Sequence, residues 1–288
     1  MRHDFIPGHI ADHDIRPVLI AGAQGTLGRA FGRICHTRGL AAVGLGRADL
    51  DIAEPASVKA ALKKHRPWAV VNAAGYVRVD DAETDVERCF RENATGPEVL
   101  AKACAAHGLP LLTFSSDLVF DGEQEGPYTE SSVPNPLNVY GRSKLAGERA
   151  VLAAHPAALV VRTSAFFSGW DEYNFVHFAV QAGRHGHPFE AADDVRMAPT
   201  YVPDLVNTAL DLLLDEVHGI WHLACQDSST WAELACAAAR RAGLPEDFVV
   251  PRPMVHFGLP AVRPRQSVLA SEKGMVQPGI EDALGRML

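Results

Sequence analysis

Three residues whose side chains bind oxygen or exchange protons are spaced so that they could act together. Ser116 closes an apolar run at 111–115, and Tyr140 and Lys144 follow in one helical pattern. Positions i and i+4 of a helix share one face, so the Lys144 ammonium can lower the pKa of the Tyr140 phenol. A phenol with its ordinary pKa of about 10 is a poor acid or base at neutral pH. The spacing therefore predicts a serine that binds an oxygen and a tyrosine that exchanges its proton.

A glycine-rich turn lies between the first apolar run, 18–21, and the first helical pattern. Gly22, Gly25 and Gly28 permit a tight turn, close approach of a pyrophosphate and close packing of helix on strand. The helix N-terminus adds N–H donors for phosphates. A glycine triple alone also fits an ordinary turn, but the strand–turn–helix context predicts a dinucleotide site. Together with the serine and tyrosine, it indicates interconversion of a carbonyl and an alcohol by hydride exchange with a nicotinamide.

The end of the second apolar run indicates which dinucleotide binds. An NAD site usually has an acid here for the ribose 2′-hydroxyl, whereas NADP needs room and positive charge for its 2′-phosphate. Gly46 and Arg47 stand at this place and favour NADP, with a solvated arginine as the alternative. Asp49 and Asp51 follow. Either carboxylate could meet the adenine amino group or cap a turn, and the sequence leaves both alternatives open.

Small residues end the third apolar run, in the order Asn72-Ala-Ala-Gly75. They would let a flat nicotinamide or ribose lie against the backbone, although they fit simple close packing as well.

The order of these elements predicts an α/β fold, a Rossmann-type doubly wound parallel sheet with a small C-terminal substrate-binding lobe. Fully apolar runs alternate with helical patterns, as in a parallel sheet covered on both faces; they lie at 18–21, 40–45, 69–72, 111–115 and 158–162. Beyond residue 168 the pattern loosens, with helices predicted at 174–182, 203–215 and 230–242 and a strand at 220–223. We predict a flexible lead at 1–16, a dinucleotide-binding domain at 17–168 and, at 169–288, a mainly substrate-binding lobe with segments that return to the main domain.

Composition excludes several classes of protein. Of 288 residues, 47% are apolar and 22% charged, which is ordinary globular usage. The formal charge of −8 disfavours a nucleic-acid binder. Five dispersed cysteines and the lack of a signal peptide or an apolar run of about 18 residues lead us to expect a cytoplasmic protein without a membrane partner. His185 and His187 have no carboxylate or cysteine partner nearby in the sequence, so we expect no metal site.

The chain resembles the extended short-chain dehydrogenases/reductases, and within them most resembles the dTDP-4-dehydrorhamnose reductase family. The resemblance runs from about residue 17 to the end. Its main segments are Gly22-Ala-Gln-Gly25-Thr-Leu-Gly28, Val71-Asn-Ala-Ala-Gly-Tyr76, Glu92-Asn93-Ala-Thr-Gly-Pro97, Phe114-Ser-Ser-Asp-Leu-Val-Phe-Asp-Gly122, Pro136-Leu-Asn-Val-Tyr-Gly-Arg-Ser-Lys-Leu-Ala-Gly-Glu148 and Arg263-Pro-Arg-Gln-Ser-Val-Leu269.

The resemblance implies a nicotinamide cofactor, NADP or NAD, a Ser116–Tyr140–Lys144 catalytic triad and a nucleotide-sugar substrate. It also makes a homodimer an expectation, because dimers are common among such enzymes. Cofactor-binding positions expected on this basis are Gly22, Gln24, Gly25, Thr26, Leu27, Gly28, Arg47, Asp51, Ile52, Asn72, Ala73, Ala74, Tyr76, Asn93, Tyr140 and Lys144. Substrate-binding positions are Ser116, Asp117, Asn174 and Arg263.

Two positions depart from the family pattern where it lines the sugar pocket. Leu118 stands where the family usually has tyrosine, and Ala165 where it usually has tryptophan. In the separate segment 193–199, Val195 and Arg196 replace the usual glutamine and glycine. The resemblance therefore does not carry over the family's deoxyhexose specificity.

Two alternatives to a reductase follow from the same resemblance. The regulatory subunit of methionine adenosyltransferase resembles these reductases yet acts by binding a partner, so a non-catalytic cofactor-binding subunit is the first alternative. An epimerase or dehydratase of the same superfamily is the second, since dehydratases usually have an acid beside the catalytic hydroxyl, as Asp117 is here. The intact triad favours an enzyme over the binding subunit.

Overall fold

The computed structural model describes residues 16–274 and 277–288, so the predicted lead lies outside the described residues except for Arg16. The strands are β1 (Val18–Ala21), β2 (Ala42–Leu45), β3 (Ala69–Asn72), β4 (Leu111–Ser116), β5 (Leu159–Thr163), β6 (Phe166–Phe167), β7 (Phe189–Ala192), β8 (Arg196–Met197), β9 (Thr200–Tyr201), β10 (Gly219–His222), β11 (Ser229–Thr230) and β12 (Val249–Arg252).

The helices are α1 (Thr26–Thr37), α2 (Pro55–His65), α3 (Val86–Phe90), α4 (Gly96–Ala106), α5 (Val139–Ala154), α6 (Phe175–Arg184), α7 (Val202–Leu214), α8 (Trp231–Arg241) and α9 (Ile280–Met287). A π-helical turn, Arg91–Thr95, joins α3 to α4. No helix of the described residues is long and apolar enough to cross a membrane.

Six parallel strands form the central sheet in the order β10-β5-β4-β3-β1-β2. The predicted α/β class with a doubly wound parallel sheet is confirmed. Its order reverses between β1 and β3, because the chain passes from β1 to β2 on one side and then returns to the other. At such a reversal a crevice opens beyond the carboxyl ends of the strands, which is where α/β sheets bind ligands.

Helices cover both faces of this sheet because its strands are apolar on both sides. Val18 and Ile20 point to the face packed by α1 and α7, while Leu19 and Ala21 point to the face packed by α2, α4 and α5. On α1, four apolar residues at helical spacing meet the sheet, and fully burying a side chain such as Phe31 contributes about 1.5–3 kcal/mol. This packing holds the glycine turn against the end of β1.

Two elements beyond residue 168 return to the main domain. The strand β10 pairs with β5 in the central sheet, and the helix α7 packs with α1. The remainder, including α6, α8 and α9, has its own apolar cluster around Val176 and Leu234. The division at residue 168 stays a prediction. Three short strand pairs and α9 were missed, because strands of two to four residues and an eight-residue terminal helix carry little periodic signal.

Candidate functional site

The glycine turn has the geometry that its spacing predicts. Gly22 adopts φ +78°, and a Cβ at this position would lie 2.6 Å from the Ala74 nitrogen. A Cβ at Gly28 would overlap the Gly22 carbonyl oxygen. Gly25 is the N-cap of α1 and has no side chain between the helix N-terminus and the cleft. Glycine is therefore needed at Gly22 for its positive φ and for its close contact with Ala74 after β3. It is needed at Gly28 because α1 packs closely on the turn.

We expect Gly28→Ala to raise the Kd for NADPH at least tenfold and to lower the free energy of unfolding by about 1–3 kcal/mol, the usual cost of overpacking. The reason is that the added methyl group pushes α1 away from the turn. Fluorescence titration with NADPH and urea unfolding would measure the two effects.

Gly32→Ala is the matched control on the same helix, since a Cβ there meets nothing within 4 Å. Alanine in place of a helical glycine is expected to stabilise by about 0.5–1 kcal/mol and to leave the Kd unchanged. Equal effects of the two variants on NADPH binding would contradict the assignment of Gly28.

A cavity of about 660 Å³ opens over this turn, and the described residues fit an extended dinucleotide in it. The first N–H groups of α1 have no partner within the helix and can meet a pyrophosphate. Small residues floor the cavity beyond the turn. Of the predicted cofactor positions, ten line it: Gly22, Gln24, Gly25, Thr26, Leu27, Arg47, Asp51, Ile52, Ala73 and Ala74.

Two arginines lie at the far end of this cavity. Arg47 is paired with the buried Glu92 at 2.6 Å, and Arg91 is paired with Asp51 at 3.0 Å. Burial opposes ionisation of Glu92, but hydrogen bonds from its arginine partners outweigh that cost, so its pKa lies below the usual value. Asp51 also accepts the Ala53 N–H at 3.0 Å and so caps a turn; a contact with adenine stays a prediction. Arg91 was missed by the sequence analysis.

Tyr76 and Asn93 do not line the cavity, and direct cofactor binding by these two residues stays a prediction. The Asn93 side chain accepts the Tyr76 N–H at 2.8 Å and donates to the Tyr76 carbonyl oxygen at 3.1 Å. It also donates to the Ser143 hydroxyl on α5 at 3.0 Å. Asn93 therefore joins the end of β3 to α5, and the Tyr76 side chain is buried.

Asp171 is a residue of this site that the sequence analysis missed. It lies between β6 and α6, and its carboxylate accepts a hydrogen bond from the Thr26 hydroxyl at the start of α1. A negative charge is favoured at a helix N-terminus, which is also where a pyrophosphate would lie. The contact joins residues 145 positions apart, so no local pattern could have indicated it.

A second cavity, of about 410 Å³, adjoins the first and contains the predicted triad. Ser116 ends β4, and Tyr140 and Lys144 lie one turn apart on α5. The Asn138 side chain caps this helix by accepting the Gly141 N–H at 2.7 Å. The Lys144 amine is 5.7 Å from the centre of the Tyr140 ring and donates to the Phe114 carbonyl oxygen at 3.3 Å. Both cavities are lined by Ala73, Ala74 and Gly75, so they form one continuous cleft. Of the other predicted cofactor positions, Asn72, Tyr140 and Lys144 line the second cavity.

The expectation that Lys144 lowers the pKa of Tyr140 is wrong for this structure. Burial, reinforced by the charge of Asp117, raises the pKa of the phenol far above its usual value, and the nearby Ser116 hydroxyl offsets this only in part. Burial also lowers the pKa of Lys144 to about 8. Desolvation is the largest cause of both shifts, and neither group contributes to the pKa shift of the other. Tyr140 thus holds its proton at neutral pH, as a proton donor must.

Three serine hydroxyl groups surround the carboxylate of Asp117. Its carboxylate is buried beside the triad and accepts hydrogen bonds from Ser116 at 3.0 Å, Ser164 at 2.8 Å and Ser267 at 2.6 Å. Burial raises the pKa of this carboxyl group. The predicted substrate contact of Asp117 stays a prediction, because these serines already occupy its oxygens.

The other predicted substrate residues are also engaged within the protein. Arg263 lines the catalytic cavity and forms a two-point ion pair with Asp80, at 2.5 and 2.6 Å. Asn174 lines the cofactor cavity instead. Its side chain caps α6 by accepting the His177 N–H at 3.0 Å and donates to the Ser168 carbonyl oxygen at 3.1 Å. Diphosphate binding by either residue stays a prediction. The part of the chain that is described contains no group of three or more potential metal ligands.

Comparisons with known proteins agree with this geometry. The profile of the RmlD substrate binding domain matches residues 16–282. A dTDP-4-dehydrorhamnose reductase of Streptomyces griseus is 37% identical over 87% of this chain and 84% of that protein. A probable dTDP-4,6-dihydroxy-2-methyloxan-3-one 4-ketoreductase of Streptomyces antibioticus is 37% identical over 88% of this chain and 87% of that protein. The crystal structure of dTDP-4-dehydrorhamnose reductase from Bacillus anthracis in complex with NADP superposes with a TM-score of 0.89 at 29% identity, over 94% of this chain and 98% of that one.

Proposed function

We propose, because this chain belongs to the RmlD substrate binding domain family, that it is an NADPH-dependent oxidoreductase that reduces a keto group on a dTDP-linked sugar. One observation carries the proposal: a serine, a tyrosine and a lysine line one cavity that continues into the cavity over the glycine turn. The relatives described above are named as reductases of dTDP-linked sugars, and one solved structure contains NADP.

Each residue of the triad has a separate role in the reaction. The Ser116 hydroxyl, which donates to Asp117 at 3.0 Å in this structure, turns to donate to the substrate carbonyl oxygen, and Tyr140 donates its phenolic proton to that oxygen as the carbonyl becomes an alcohol. The Lys144 ammonium stabilises the phenolate that remains, since the two groups lie on one face of α5. Bound NADPH supplies the hydride. The residues that would hold it are the glycine turn, Arg47 and the small residues that end β3.

The function is tested by incubating the purified chain with NADPH and a panel of dTDP- and UDP-linked 4-keto sugars. We expect loss of absorbance at 340 nm with dTDP-linked members, and a product that is two mass units heavier than the keto sugar. NADPH binding without turnover of any member would support the regulatory-subunit alternative. A product with an inverted centre and no net oxidation of NADPH would support the epimerase alternative.

We expect Arg47→Ala to raise KM for NADPH by about 10-fold or more and to change KM for NADH less than threefold. A charge-assisted hydrogen bond contributes about 1.5–3 kcal/mol, and only NADPH carries the 2′-phosphate that would receive it. Steady-state kinetics with both cofactors measure the two constants. Arg78→Ala removes an equally exposed arginine that pairs with Asp81 outside the cavity, and serves as the control. A parallel rise with both cofactors would contradict the assignment.

Two further parts of the proposal rest on the sequence alone. A homodimer and a cytoplasmic location stay predictions, for which sedimentation of the purified chain and cell fractionation are the direct tests.

A further inference from the structure

The buried carboxyl group of Asp117 lies between the catalytic serine and two serines of other segments. Its Oδ1 is 3.0 Å from the Ser116 hydroxyl at the end of β4. Its Oδ2 accepts hydrogen bonds from Ser164, which follows β5, at 2.8 Å and from Ser267 at 2.6 Å. All four residues line the catalytic cavity. A change in the charge of Asp117 therefore acts directly on the hydroxyl group that is proposed to hold the substrate oxygen.

The positively charged side chains of the cavity wall are bonded to other groups. Arg263 forms its ion pair with Asp80, at 2.5 and 2.6 Å. Lys144, on α5, donates to a backbone carbonyl oxygen of β4 at 3.3 Å. The Tyr140 phenol, whose pKa responds to the charge of Asp117, is neutral at neutral pH. Burial among neutral hydroxyl groups accordingly raises the pKa of the Asp117 carboxyl.

The hydrogen bonds of Ser116 must change when a substrate oxygen binds. A hydroxyl group has one proton to donate and two lone pairs that accept. The Leu118 N–H occupies one lone pair at 3.1 Å, and the proton goes to Asp117 in this structure. Because a carbonyl oxygen can only accept, the serine has to turn its proton from Asp117 to the substrate. The second lone pair is then the only group that Ser116 can present to Oδ1.

The two protonation states of Asp117 respond differently to this turn. An ionised carboxylate would meet the serine oxygen lone pair against lone pair, and a buried charge would lose one of its three donors. That cost draws the serine proton back to Asp117 and away from the substrate. A protonated carboxyl instead donates to Ser116, while Oδ2 still accepts from the other two serines. Burial can keep a carboxylic acid neutral at pH 7 so that it donates a hydrogen bond.

We propose that Asp117 is a positioning residue that takes up a solvent proton when the keto sugar binds and donates a hydrogen bond with it to the Ser116 oxygen, which directs the serine proton at the substrate carbonyl. The solvent proton stays bonded to Asp117 throughout, and the proton gained by the product is that of Tyr140. This inference rests on the proposed function and deepens it, because it assigns what controls the serine of the same site.

The protonation state is observed by infrared spectroscopy of a complex that cannot react, formed from the chain, oxidised NADP and the best keto-sugar substrate of the panel. At neutral pH we expect the C=O stretching band of a protonated carboxyl group in the parent chain, with a shift in heavy water, and its loss in Asp117→Asn.

Asp121→Asn is the matched control for this band. The Asp121 carboxylate lies outside both cavities, and hydrogen bonds from the Glu123 backbone N–H and the Asn135 side chain lower its pKa. It is therefore ionised at neutral pH, and its replacement should leave the band in place.

The pH dependence of kcat/KM tests whether the proton acts on catalysis. Raising the pH ionises Asp117 in the parent chain, whereas the amide of Asp117→Asn can donate to Ser116 at every pH. The ratio of kcat/KM for Asp117→Asn to that for the parent should therefore rise at least threefold over the pH range in which the infrared band disappears. Lys144, with its pKa lowered to about 8, titrates in both chains and cancels in the ratio.

The outcomes are distinguishable. A band that is lost in Asp117→Asn, together with the rising ratio, supports the inference, as does a band that persists at every pH with a constant ratio. A parent complex without the band, or a ratio that stays constant while the band disappears, overturns the inference while the reductase function stands. Absence of turnover with every member of the panel overturns the proposed function, and this inference with it.

Discussion

Replacing Tyr140 with phenylalanine is expected to lower kcat/KM by about 10²–10⁴, the span of general acid catalysis by one side chain. The phenol is the group proposed to protonate the reacting oxygen, and burial keeps its proton in place by raising its pKa. Phenylalanine preserves the ring and therefore the packing of α5. The Kd for NADPH should rise by no more than about tenfold, since one neutral hydrogen bond contributes roughly 0.5–1.5 kcal/mol.

Two measurements are needed for this variant: initial rates on the best substrate of the panel, and a fluorescence titration with NADPH. Tyr201→Phe is the matched control, because it removes a phenolic hydroxyl from a buried tyrosine that lies outside both cavities. Retention of more than a tenth of the parent kcat/KM by Tyr140→Phe would show that another group delivers the proton. Equal losses in the two variants would indicate a general effect of removing a buried phenol.

The largest expected effect on stability comes from Arg162→Met. Arg162 and Glu148 form an ion pair with both side chains 2% exposed, at 2.7 and 2.8 Å. The guanidinium also lies 5.1 Å from the centre of the Phe120 ring. Methionine removes the charge and leaves the Glu148 carboxylate unpaired in the core. We expect the free energy of unfolding to fall by about 3–5 kcal/mol, the usual cost of breaking a buried pair.

The double variant Glu148→Leu, Arg162→Met tests the cause of that loss. An apolar pair of similar volume often replaces a buried ion pair without loss, so most of the stability should return. Urea unfolding followed by circular dichroism measures each variant. Arg240→Met breaks the half-exposed pair with Glu246 and should change stability far less. A double variant as unstable as Arg162→Met would show that lost packing, not the unpaired carboxylate, is responsible.

The same ion pair connects stability to the site. Glu148 lies four residues after Lys144 on α5, and Arg162 is on β5, next to the strand that ends in Ser116. The charge of Glu148 opposes the lowering of the Lys144 pKa by burial. The pair therefore joins the catalytic helix to the sheet and contributes to keeping Lys144 protonated.

Local spacing was enough to predict the main elements and the residues that act through one element. The turn around Gly22, Gly25 and Gly28 is a property of a few consecutive residues, and so is the shared face of Tyr140 and Lys144. Alternation of apolar runs with helical patterns was likewise enough for the parallel sheet, because burial on both faces leaves a continuous apolar signal in each strand.

Contacts between distant segments could not be predicted in this way. Asp117 meets Ser267 across 150 positions, Asp171 meets Thr26 across 145, and Arg263 meets Asp80 across 183. Each pair consists of common polar residues, and nothing in the local pattern of either partner distinguishes it from a solvated side chain. Tyr76 and Asn93 were assigned by resemblance, which did not indicate that Asn93 bonds to Tyr76 and to Ser143 on α5.

The sequence by itself determined the fold class, the glycine turn and the shared helix face of Tyr140 and Lys144, because those depend on spacing within single elements. Only the tertiary structure decided the protonation of Tyr140, since its pKa depends on how deeply α5 is buried and on the nearby Asp117. It also decided which hydroxyl groups remain available to a substrate. Hydrogen-bond donors are consumed by whichever acceptor folding brings nearest, and that acceptor is encoded far away in the chain.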